Sequence, residues 1–438
     1  MSSRWVGRCG ECQQWGSVDE APIRLSAVAS VTPLTAAVPI TAINTTESVR
    51  YPTGIEEFDR VLGGGLVPGA VVLLAGAPGV GKSTLLLELC SRWAETYGRT
   101  LYITGEESPS QVRLRAVRTG AESEQLFLAA ETDLGMVIAQ IEQVEPSLVV
   151  IDSVQTIDSA TAEGSVGGVT QVKEVTTRLI RVAKQSGIPV VLVGHITKDG
   201  AIAGPKTLEH LVDVVVSFEG ENHSGFRIVR ATKNRYGPAD EIGCFELDDN
   251  GIQQVLDPTG VFISNHCEPV GGTAITVSLQ GSRPLATEIQ ALVVPTTLQA
   301  PRRVCHGLDS SGLAMILAVL QRRVGLRFHT LDVYASTVGG AKINDPGADL
   351  GLACALASAL LDQPLPEQMV VIGEIGLAGD IRRVCDLDRR LAEAARLGVV
   401  SAIIPPDNRR SPPPANLQII ESPTLSYALD ILDLRKAK

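Results

Sequence analysis

Long apolar runs are missing from this sequence of 438 residues, and so is an apolar signal core in its first segment. No segment supplies the roughly 18 uninterrupted apolar residues that a membrane helix needs, and residues 1–17 contain no apolar signal core. We therefore expect a cytoplasmic protein without a membrane partner.

Positive charge is also scarce, because the formal net charge at pH 7 is −11. This balance excludes a protein that coats nucleic acid with its whole surface. A local basic channel is compatible with it. Any nucleic-acid site must therefore occupy a limited part of the surface.

A disulfide framework is absent as well. Most cysteines stand alone among apolar neighbours, which is typical of buried thiols in a reducing compartment. These isolated cysteines are Cys90, Cys244, Cys267, Cys305, Cys354 and Cys385. The remaining two, Cys9 and Cys12, form the sole spaced pair.

The length suggests two or three domains, and changes of composition place their boundaries. Residues 1–17 form a short head, and residues 18–48, rich in Ala, Thr, Val, Ser and Pro, are typical of a linker. In residues 49–257, apolar strand-like runs alternate with amphipathic helical stretches, which predicts an α/β domain with a mainly parallel sheet. Residues 258–438 continue as a second α/β unit.

The strongest motif is a phosphate loop, "GAPGVGKST", between the predicted strand "AVVLLA" and the predicted helix "STLLLELCSRWA". In such a loop, backbone N–H groups surround the β-phosphate of ATP, Lys82 bridges β- and γ-phosphate oxygens, and Ser83 offers its hydroxyl to Mg²⁺. The predicted nucleotide-binding residues are Gly76, Ala77, Pro78, Gly79, Val80, Gly81, Lys82, Ser83 and Thr84.

Polar residues end three more predicted strands. Asp152 ends "LVVID", the usual position of a carboxylate that holds Mg²⁺. Glu106 and Glu107 follow "TLYIT", and one of them could orient or deprotonate the attacking water. Strand alternation directs only one of the two towards the nucleotide and does not show which; we select Glu107, with Glu106 as the alternative. His195 ends "PVVLVGH" and could sense the γ-phosphate, or simply pair with a neighbour.

Five segments together resemble the bacterial RadA (Sms) recombination proteins, over nearly the whole chain. They are "TGIEEFDRVLGGGLVPGAVVLLAGAPGVGKSTLLLEL", "LYITGEES", "LVVIDSVQT", "VVLVGHITKDGAIAGPKTLEHLVD" and "KNRYG". The last is close to the KNRFG motif of that family and departs from it at Tyr236, where the family has Phe. Because one aromatic replaces another, we expect its packing role to persist.

The resemblance implies a RecA-like ATPase, similar also to ring helicases of the DnaB kind, that binds single-stranded and branched DNA and drives branch migration. It also implies a homo-oligomeric ring, expected to be a hexamer, that works in DNA repair beside a RecA-type recombinase. In such rings a cation of one subunit completes the ATP site of the neighbouring subunit. Helicases carry this cation on a strand that ends in Lys-x-Arg, and the corresponding residues here are Lys233 and Arg235. Which of the two reaches nucleotide and which reaches DNA is open.

The family's loops for single-stranded DNA should follow the strands that end at Asp152 and His195. Here they correspond to "SATAEGSVGGVTQVKE" and "TKDGAIAGPKT", which carry Lys173, Lys198 and Lys206. Contacts from a few cations to the phosphate backbone would give salt-sensitive binding. Base stacking should contribute little, because aromatic residues are scarce there.

The section after Pro258 resembles the protease domain of Lon, through "GEIGLAGDIRRV" and "DPGADLGLACALASALL". Lon needs a Ser nucleophile and a Lys that deprotonates it. The alignment puts Gly347 at the serine position and Arg390 at the lysine position, and a guanidinium keeps its proton at neutral pH. We therefore expect a scaffold without peptidase catalysis. Arginines there that could grip DNA, or form solvated faces, are Arg302, Arg303, Arg322, Arg323 and Arg327.

The segment "WVGRCGECQQWGS" resembles the second half of the family's four-cysteine zinc ribbon. Structural Zn²⁺ takes four ligands, and Cys9 and Cys12 supply two, so we do not expect zinc binding by the chain as given. Either the start codon was assigned too late or this member has lost the site. A redox role for the C-x-x-C pair is a third alternative.

Two other functions stay open. A signalling ATPase of the KaiC kind shares the paired glutamates and the phosphate loop but needs no DNA, so stimulation by single-stranded DNA separates it from a DNA motor. An ATP-dependent peptidase is disfavoured by Gly347 and Arg390, and digestion of casein tests it.

Overall fold

The computed structural model describes part of the chain in atomic detail. The predicted head, most of the predicted linker, and Cys9, Cys12, Lys198, Lys206 and Cys267 lie outside the described residues. The chain divides into two compact units, residues 1–47 and 48–438, and the fold below belongs to the second unit. The described residues are 39, 41, 49–195, 208–220, 225–239, 241–264, 268–406 and 412–434.

The first sheet contains nine strands. They are β1 (Val71–Gly76), β2 (Thr100–Thr104), β3 (Leu126–Ala130), β4 (Leu148–Asp152), β5 (Val190–His195), β6 (Val214–Gly220), β7 (Phe226–Asn234), β8 (Ile242–Asp248) and β9 (Gly251–Gln254). Their order is β3-β2-β4-β5-β1-β6-β7-β8-β9. Pairs from β3 to β6 are parallel and pairs from β6 to β9 are antiparallel. The predicted mainly parallel sheet is confirmed.

Helices cover both faces of this sheet. They are α1 (Glu56–Leu62), α2 (Lys82–Tyr97), α3 (Pro109–Thr119), α4 (Leu134–Val144) and α5 (Val169–Ser186). Alternate residues of β1 face opposite layers, so that Val72 and Leu74 pack with α1 and α2, whereas Val71 and Leu73 pack with α4 and α5. Burial on both faces explains why the central strands are continuous apolar runs.

The second sheet has seven strands. They are β10 (Thr273–Gln280), β11 (Arg283–Pro295), β12 (Arg303–His306), β13 (Leu331–Thr337), β14 (Met369–Val371), β17 (Ser401–Ile404) and β18 (Gln418–Glu421), while β15 (Glu374–Ile375) and β16 (Ile381–Arg382) form a separate pair. The order in the sheet is β12-β13-β11-β10-β14-β17-β18. The predicted domain boundary at residues 257 and 258 falls between the two sheets in sequence and stays a prediction.

Five further α-helices lie among the described residues of the C-terminal region, as we call residues 258–438. They are α6 (Thr259–Phe262), α7 (Ser310–Val319), α8 (Asp349–Leu361), α9 (Leu387–Arg396) and α10 (Leu425–Ile431). Helix α8 is buried along most of its length against the second sheet. No helix within the described ranges is both long and apolar enough to cross a bilayer.

The hairpin of β10 and β11 joins the C-terminal region to the first sheet. Arg283 Nη1 donates to Oε2 of the fully buried Glu57 on α1 at 2.5 Å, and the N–H of Cys244 on β8 donates to the same oxygen at 2.8 Å. Arg230 Nη1 on β7 donates to Gln280 Oε1 at 3.0 Å. The two sheets are therefore tied together by charged and polar contacts at this turn.

Cysteine burial agrees with the prediction in part. Cys90, Cys244 and Cys354 are buried, and Cys305 is half-buried. Cys385 is exposed, so the predicted burial is wrong there. The apolar neighbours in its sequence belong to a turn before α9, where the chain runs along the surface.

Candidate nucleotide site

The phosphate loop connects the end of β1 to the start of α2. Gly79 and Gly81 have φ angles of 78° and 110°, a region that glycine enters without strain. Helix α2 begins at Lys82 without a side-chain cap, so the N–H groups of its first turn lack partners within the helix. Such a turn fits a phosphate, because the N–H groups and the helix dipole both favour an anion.

Lys82 lies inside the curve of this loop. It is 4% exposed, and its Nζ donates to the carbonyl oxygens of Gly76 and Ala77, both at 2.9 Å. Burial lowers the pKa of Lys82, while the charges of Asp152 and Glu106 act against that shift. The ammonium is therefore held inside the phosphate loop, and its predicted contact with β- and γ-phosphate oxygens stays a prediction.

Asp152, at the end of β4, is the carboxylate suited to Mg²⁺. It is buried, and Tyr102 on the neighbouring strand β2 donates its hydroxyl hydrogen to Asp152 Oδ2 at 2.6 Å, which sets the rotation of the carboxylate. Burial and the charge of Asp152 raise the pKa of Tyr102, so the phenol keeps the proton that it donates. The carboxylate of Asp152 and the hydroxyl of Ser83 are hard oxygen donors of the kind that Mg²⁺ takes together with phosphate oxygens.

A small hydrogen-bond network surrounds Glu106. Its Oε1 accepts a hydrogen bond from Ser153 Oγ at 2.5 Å and lies 2.9 Å from His195 Nε2. Burial opposes ionisation, but the hydrogen bond from Ser153, the contact with His195 and the charge of Lys82 lower the pKa of Glu106 overall. Glu106 is therefore an ionised carboxylate with two donors on one of its oxygens.

Glu107 points in a different direction. Its carboxylate pairs with Arg115 on α3, while the N–H groups of Glu106 and Glu107 both donate to Thr104 Oγ1, at 3.3 and 3.1 Å. The structure thus brings Glu106, and not Glu107, to His195. The catalytic role of either glutamate stays a prediction.

The cations of "KNRYG" lie at the opposite edge of the sheet from the phosphate loop. Asn234 is opposite Val214 on β6, whereas Gly76 is opposite Phe218 on the same strand. The four residue steps from Val214 to Phe218 span about 13 Å of strand, and Lys233, which is opposite Val215, is about 10 Å from Phe218 along it. Within one subunit, Lys233 therefore lies far from the phosphate loop of its own chain.

Both cations are engaged by their own chain. Lys233 Nζ donates to the carbonyl oxygens of Glu209 and Val212, at 2.6 and 2.8 Å. Burial and the neighbouring Arg235 lower the pKa of Lys233. Arg235 Nη1 donates to Oδ1 of the buried Asp213 at 3.1 Å. These contacts orient the two side chains without bringing them to any phosphate site of the described residues.

Tyr236 occupies the position at which the family motif differs. Its ring packs against the apolar cluster on the α2 side of the sheet. Its hydroxyl accepts a hydrogen bond from Lys184 Nζ at 3.2 Å. The hydroxyl thus adds a polar contact while the ring keeps an apolar one.

The residues aligned with the Lon catalytic pair come together in the C-terminal region. A Cβ atom at Gly347 would lie 2.6 Å from Arg390 Nη1. Arg390 is 1% exposed, pairs with Asp345, and donates to the carbonyl oxygens of Val277 and Cys385 at 2.8 and 3.0 Å. The guanidinium thus fills the space that a serine side chain at position 347 would need.

The predicted DNA contacts differ in availability. Lys173 is exposed on α5, whereas Lys198 and Lys206 lie outside the described residues. Arg303 uses its guanidinium on backbone carbonyl groups, including that of Phe328 at 2.7 Å. The other arginines that we named as possible DNA contacts are, like Arg303, exposed. They are Arg302, Arg322, Arg323 and Arg327.

Apart from the oxygens of Asp152 and Ser83, the described ranges offer no metal site: they contain no cluster of three His, Cys, Asp or Glu residues that could hold an ion. Cys9 and Cys12 lie outside those ranges, so the zinc prediction is not addressed there. Mg²⁺ at the phosphate loop needs no such cluster, since one carboxylate, one hydroxyl and phosphate oxygens are its usual ligands.

Sequence reasoning missed three residues of the site. Ser153 directly follows Asp152, and that adjacency could have signalled its proximity to the carboxylates. Tyr102 lies within the strand before the paired glutamates, and its hydroxyl in an apolar run was a usable signal. Arg227, which contacts the phosphate loop, gave no signal, because strand pairing alone places it there.

Comparison with known proteins gives consistent matches. The model of an AAA domain matches residues 39–201, and the model of the Lon protease (S16) C-terminal proteolytic domain matches residues 323–421. The chain is 52% identical to DNA repair protein RadA of Mycolicibacterium smegmatis, over 99% of this chain and 94% of that protein. It is 42% identical to DNA repair protein RadA of Escherichia coli, over 98% of this chain and 95% of that protein. A solved KaiC-like protein from Pyrococcus horikoshii matches with a TM-score of 0.41 and 23% identity, over 47% of this chain and 99% of that chain.

Proposed function

This chain belongs to the RadA family of DNA repair proteins, and from that membership we propose that it is an ATP-driven motor that binds single-stranded and branched DNA and promotes branch migration. Its relatives are named for DNA repair, and the AAA match together with the phosphate loop supports ATP hydrolysis. The dependence of that hydrolysis on DNA is part of the proposal. Assembly into a ring, with a RecA-type recombinase as partner, is also part of it.

One observation carries the proposal: the cations of "KNRYG" lie at the opposite end of β6 from their own phosphate loop, with Lys233 about 10 Å away along the strand. A cation that completes an ATP site by stabilising charge on the γ-phosphoryl group must come within hydrogen-bond distance of it. Lys233 and Arg235 can meet that requirement at the site of a neighbouring subunit. The site is therefore shared between subunits of a ring.

The residues of one chain have separate tasks in this proposal. The loop amides and Lys82 bind the phosphates, and Ser83 and Asp152 hold the metal. When bound, ATP and Mg²⁺ supply the transferable phosphoryl group and neutralise charge on it. Glu106, ionised and fixed through one oxygen, orients the attacking water and accepts its proton. His195 contacts Glu106 and so links this carboxylate to the end of β5.

The shared site is tested by mixing two inactive variants. Lys233→Ala keeps its own phosphate loop, and Lys82→Ala keeps its own Lys233, so a mixed ring contains some interfaces with both. We expect each variant alone to lose ATP hydrolysis and the mixture to recover part of it. Absence of recovery, with mixed rings verified by affinity tags, contradicts the shared site.

The DNA role is tested by the ATPase rate with and without single-stranded DNA and by gel shift of a labelled oligonucleotide. We expect stimulation and a salt-sensitive shift, because phosphate contacts release counterions. Migration of a synthetic four-way junction tests the motor itself. If the protein hydrolyses ATP but neither binds DNA nor is stimulated by it, the result would instead favour a signalling ATPase.

A further inference from the structure

Arg227, in β7, is a buried arginine that touches the phosphate loop. It is 7% exposed, and its Nε donates to the carbonyl oxygen of Val80 at 3.1 Å. Its Nη1 donates to the carbonyl oxygen of Phe226 at 2.8 Å. Gly220 of β6 lies opposite Arg227, and a Cβ atom there would be 2.3 Å from Arg227 Cδ. The lack of a side chain at position 220 therefore leaves the arginine its path to the loop.

The burial of the Arg227 guanidinium requires a physical explanation. Removing this cation from water costs free energy, and burial lowers the pKa of Arg227. An apolar side chain could fill the same space at lower cost. Hydrogen bonds from a charged donor are about twice as strong as neutral ones, so the bond to Val80 is a strong restraint on the loop.

The preceding residue contacts the C-terminal region. The rings of Phe226 and Phe262 meet edge to face, with centroids 5.1 Å apart. Phe262 is fully buried beneath the turn at Gly339, where a Cβ atom would lie 2.8 Å from its ring. Leu285 and Ala341 of the C-terminal region also belong to this apolar cluster, together with Ile242 and Cys244 of β8. Two successive residues of β7 thus contact the phosphate loop and the C-terminal region.

We propose that Arg227 is a positioning residue for the phosphate loop and that the C-terminal cluster around Phe262 holds it in place. The region without peptidase chemistry then supports ATP binding. A carbonyl group restrained at Val80 keeps the following N–H groups turned towards the phosphates. Without that restraint, binding itself must order the loop, which weakens affinity. The inference rests on the proposed nucleotide site but is independent of any action on DNA.

The test compares Arg227→Ala and Arg227→Lys in the full chain, using the Kd of a fluorescent ATP analogue together with KM and kcat. We expect Arg227→Ala to raise Kd and KM about 10- to 100-fold and to change kcat much less, with Arg227→Lys recovering part of the loss. Arg99→Ala is the matched control, because Arg99 also donates to a backbone carbonyl, that of Val144 at 3.1 Å, away from the loop. It should leave KM unchanged.

A second pair of variants tests the role of the C-terminal cluster. Phe262→Leu should raise KM about fivefold and should add little to Arg227→Ala, because residues that act on one contact are not additive. Fully additive effects would overturn the link to the C-terminal region. An unchanged Kd and KM in Arg227→Lys and Arg227→Ala, or in Arg227→Lys if the alanine variant does not fold, overturns the whole inference. Retention of ATP binding by Lys82→Ala is a different result and would overturn the nucleotide site instead.

Discussion

Lys82 in the phosphate loop and Arg390 in the C-terminal region are both cations that the fold buries almost completely, and both donate to two backbone carbonyl groups. They differ in their counter-charge. Arg390 pairs directly with Asp345, whereas Lys82 forms no ion pair with Asp152 or Glu106, whose charges act on it from a greater distance. The loop around Lys82 is therefore ready for an external anion, and the pocket around Arg390 is already neutral.

This difference separates a site that binds from a site that only stabilises. A buried charge with an internal partner is costly to disturb, because loss of one member leaves the other unpaired in a poor solvent. A buried charge held by carbonyl groups can be lost at little cost to folding, but its ligand then loses a partner. Substitutions in the two sites should consequently affect different measurements.

The largest effect is expected from Lys82→Ala. Loss of the cation that meets the β- and γ-phosphates should lower kcat/KM for ATP about 10³-fold. The midpoint of thermal unfolding should stay the same or rise, since no carboxylate loses a paired cation. Arg92→Ala, on the exposed side of α2, is the control: it should leave kcat/KM unchanged and lower the free energy of unfolding by about 1 kcal/mol or less, because it loses an exposed arginine's pair with Glu88. A large loss of stability in Lys82→Ala would remove the distinction between the two sites.

Glu106→Gln should follow, with a fall in kcat of about 10²- to 10³-fold and nearly unchanged binding of the ATP analogue. The amide cannot accept the proton of the attacking water but fills the same space. Glu107→Gln is the matched control, because it changes the neighbouring residue, which pairs with Arg115. Steady-state kinetics of both variants decide between them. A larger fall in kcat for Glu107→Gln would assign the catalytic role to Glu107, the residue selected from the sequence.

In the C-terminal region, Arg390→Met should lower the free energy of unfolding by about 3–5 kcal/mol, because Asp345 would keep its charge without its partner. Urea unfolding measures this. Arg396→Met on the same helix is the control, since Arg396 is exposed in its pairs with the half-buried Glu393 and the exposed Asp257, and pairs of an exposed arginine contribute about 1 kcal/mol or less. Equal effects of the two substitutions would show that burial of the Arg390–Asp345 pair does not increase its contribution to the free energy of unfolding.

The nucleotide site and the C-terminal site were predictable to different degrees. The phosphate loop was predictable because its residues are contiguous and lie between a recognisable strand and helix. The choice between Glu106 and Glu107 was not, because Ser153, His195 and Arg115 come from three other elements. Strand β3 gives only a weak signal in the sequence, because "LFLAA" is short and only partly buried.

The antiparallel extension of the first sheet was equally hard to foresee. Strands β8 and β9 follow no helical stretch, so the alternation that reveals a parallel sheet does not include them. The position of Arg227 depends on the pairing of β6 with β7, and that register becomes visible only in the folded chain. Residues that act through pairing carry no local motif.

The smallest effect is expected at Asp349, a carboxylate near Gly347 that does not pair with the guanidinium of Arg390. Burial, with smaller contributions from Glu374 and Asp345, raises the pKa of Asp349 to about 6. Because this exceeds the unfolded value of 3.8, the folded state holds the proton more tightly. The stabilisation from protonated Asp349 is complete below about pH 4 and is lost as the pH rises through about 6.

Asp349→Asn should therefore raise the free energy of unfolding at pH 7.5 by about 2–3 kcal/mol, and this gain should shrink towards pH 4. The amide oxygen can still accept the N–H of Ile375, which lies 3.3 Å from Asp349 Oδ2. Asp345→Asn is the matched control and should destabilise at pH 7.5, because it removes the charge that Arg390 pairs with. If Asp349→Asn also destabilises at pH 7.5, then this pocket, unlike the phosphate loop, contains an unpaired charge that the fold requires.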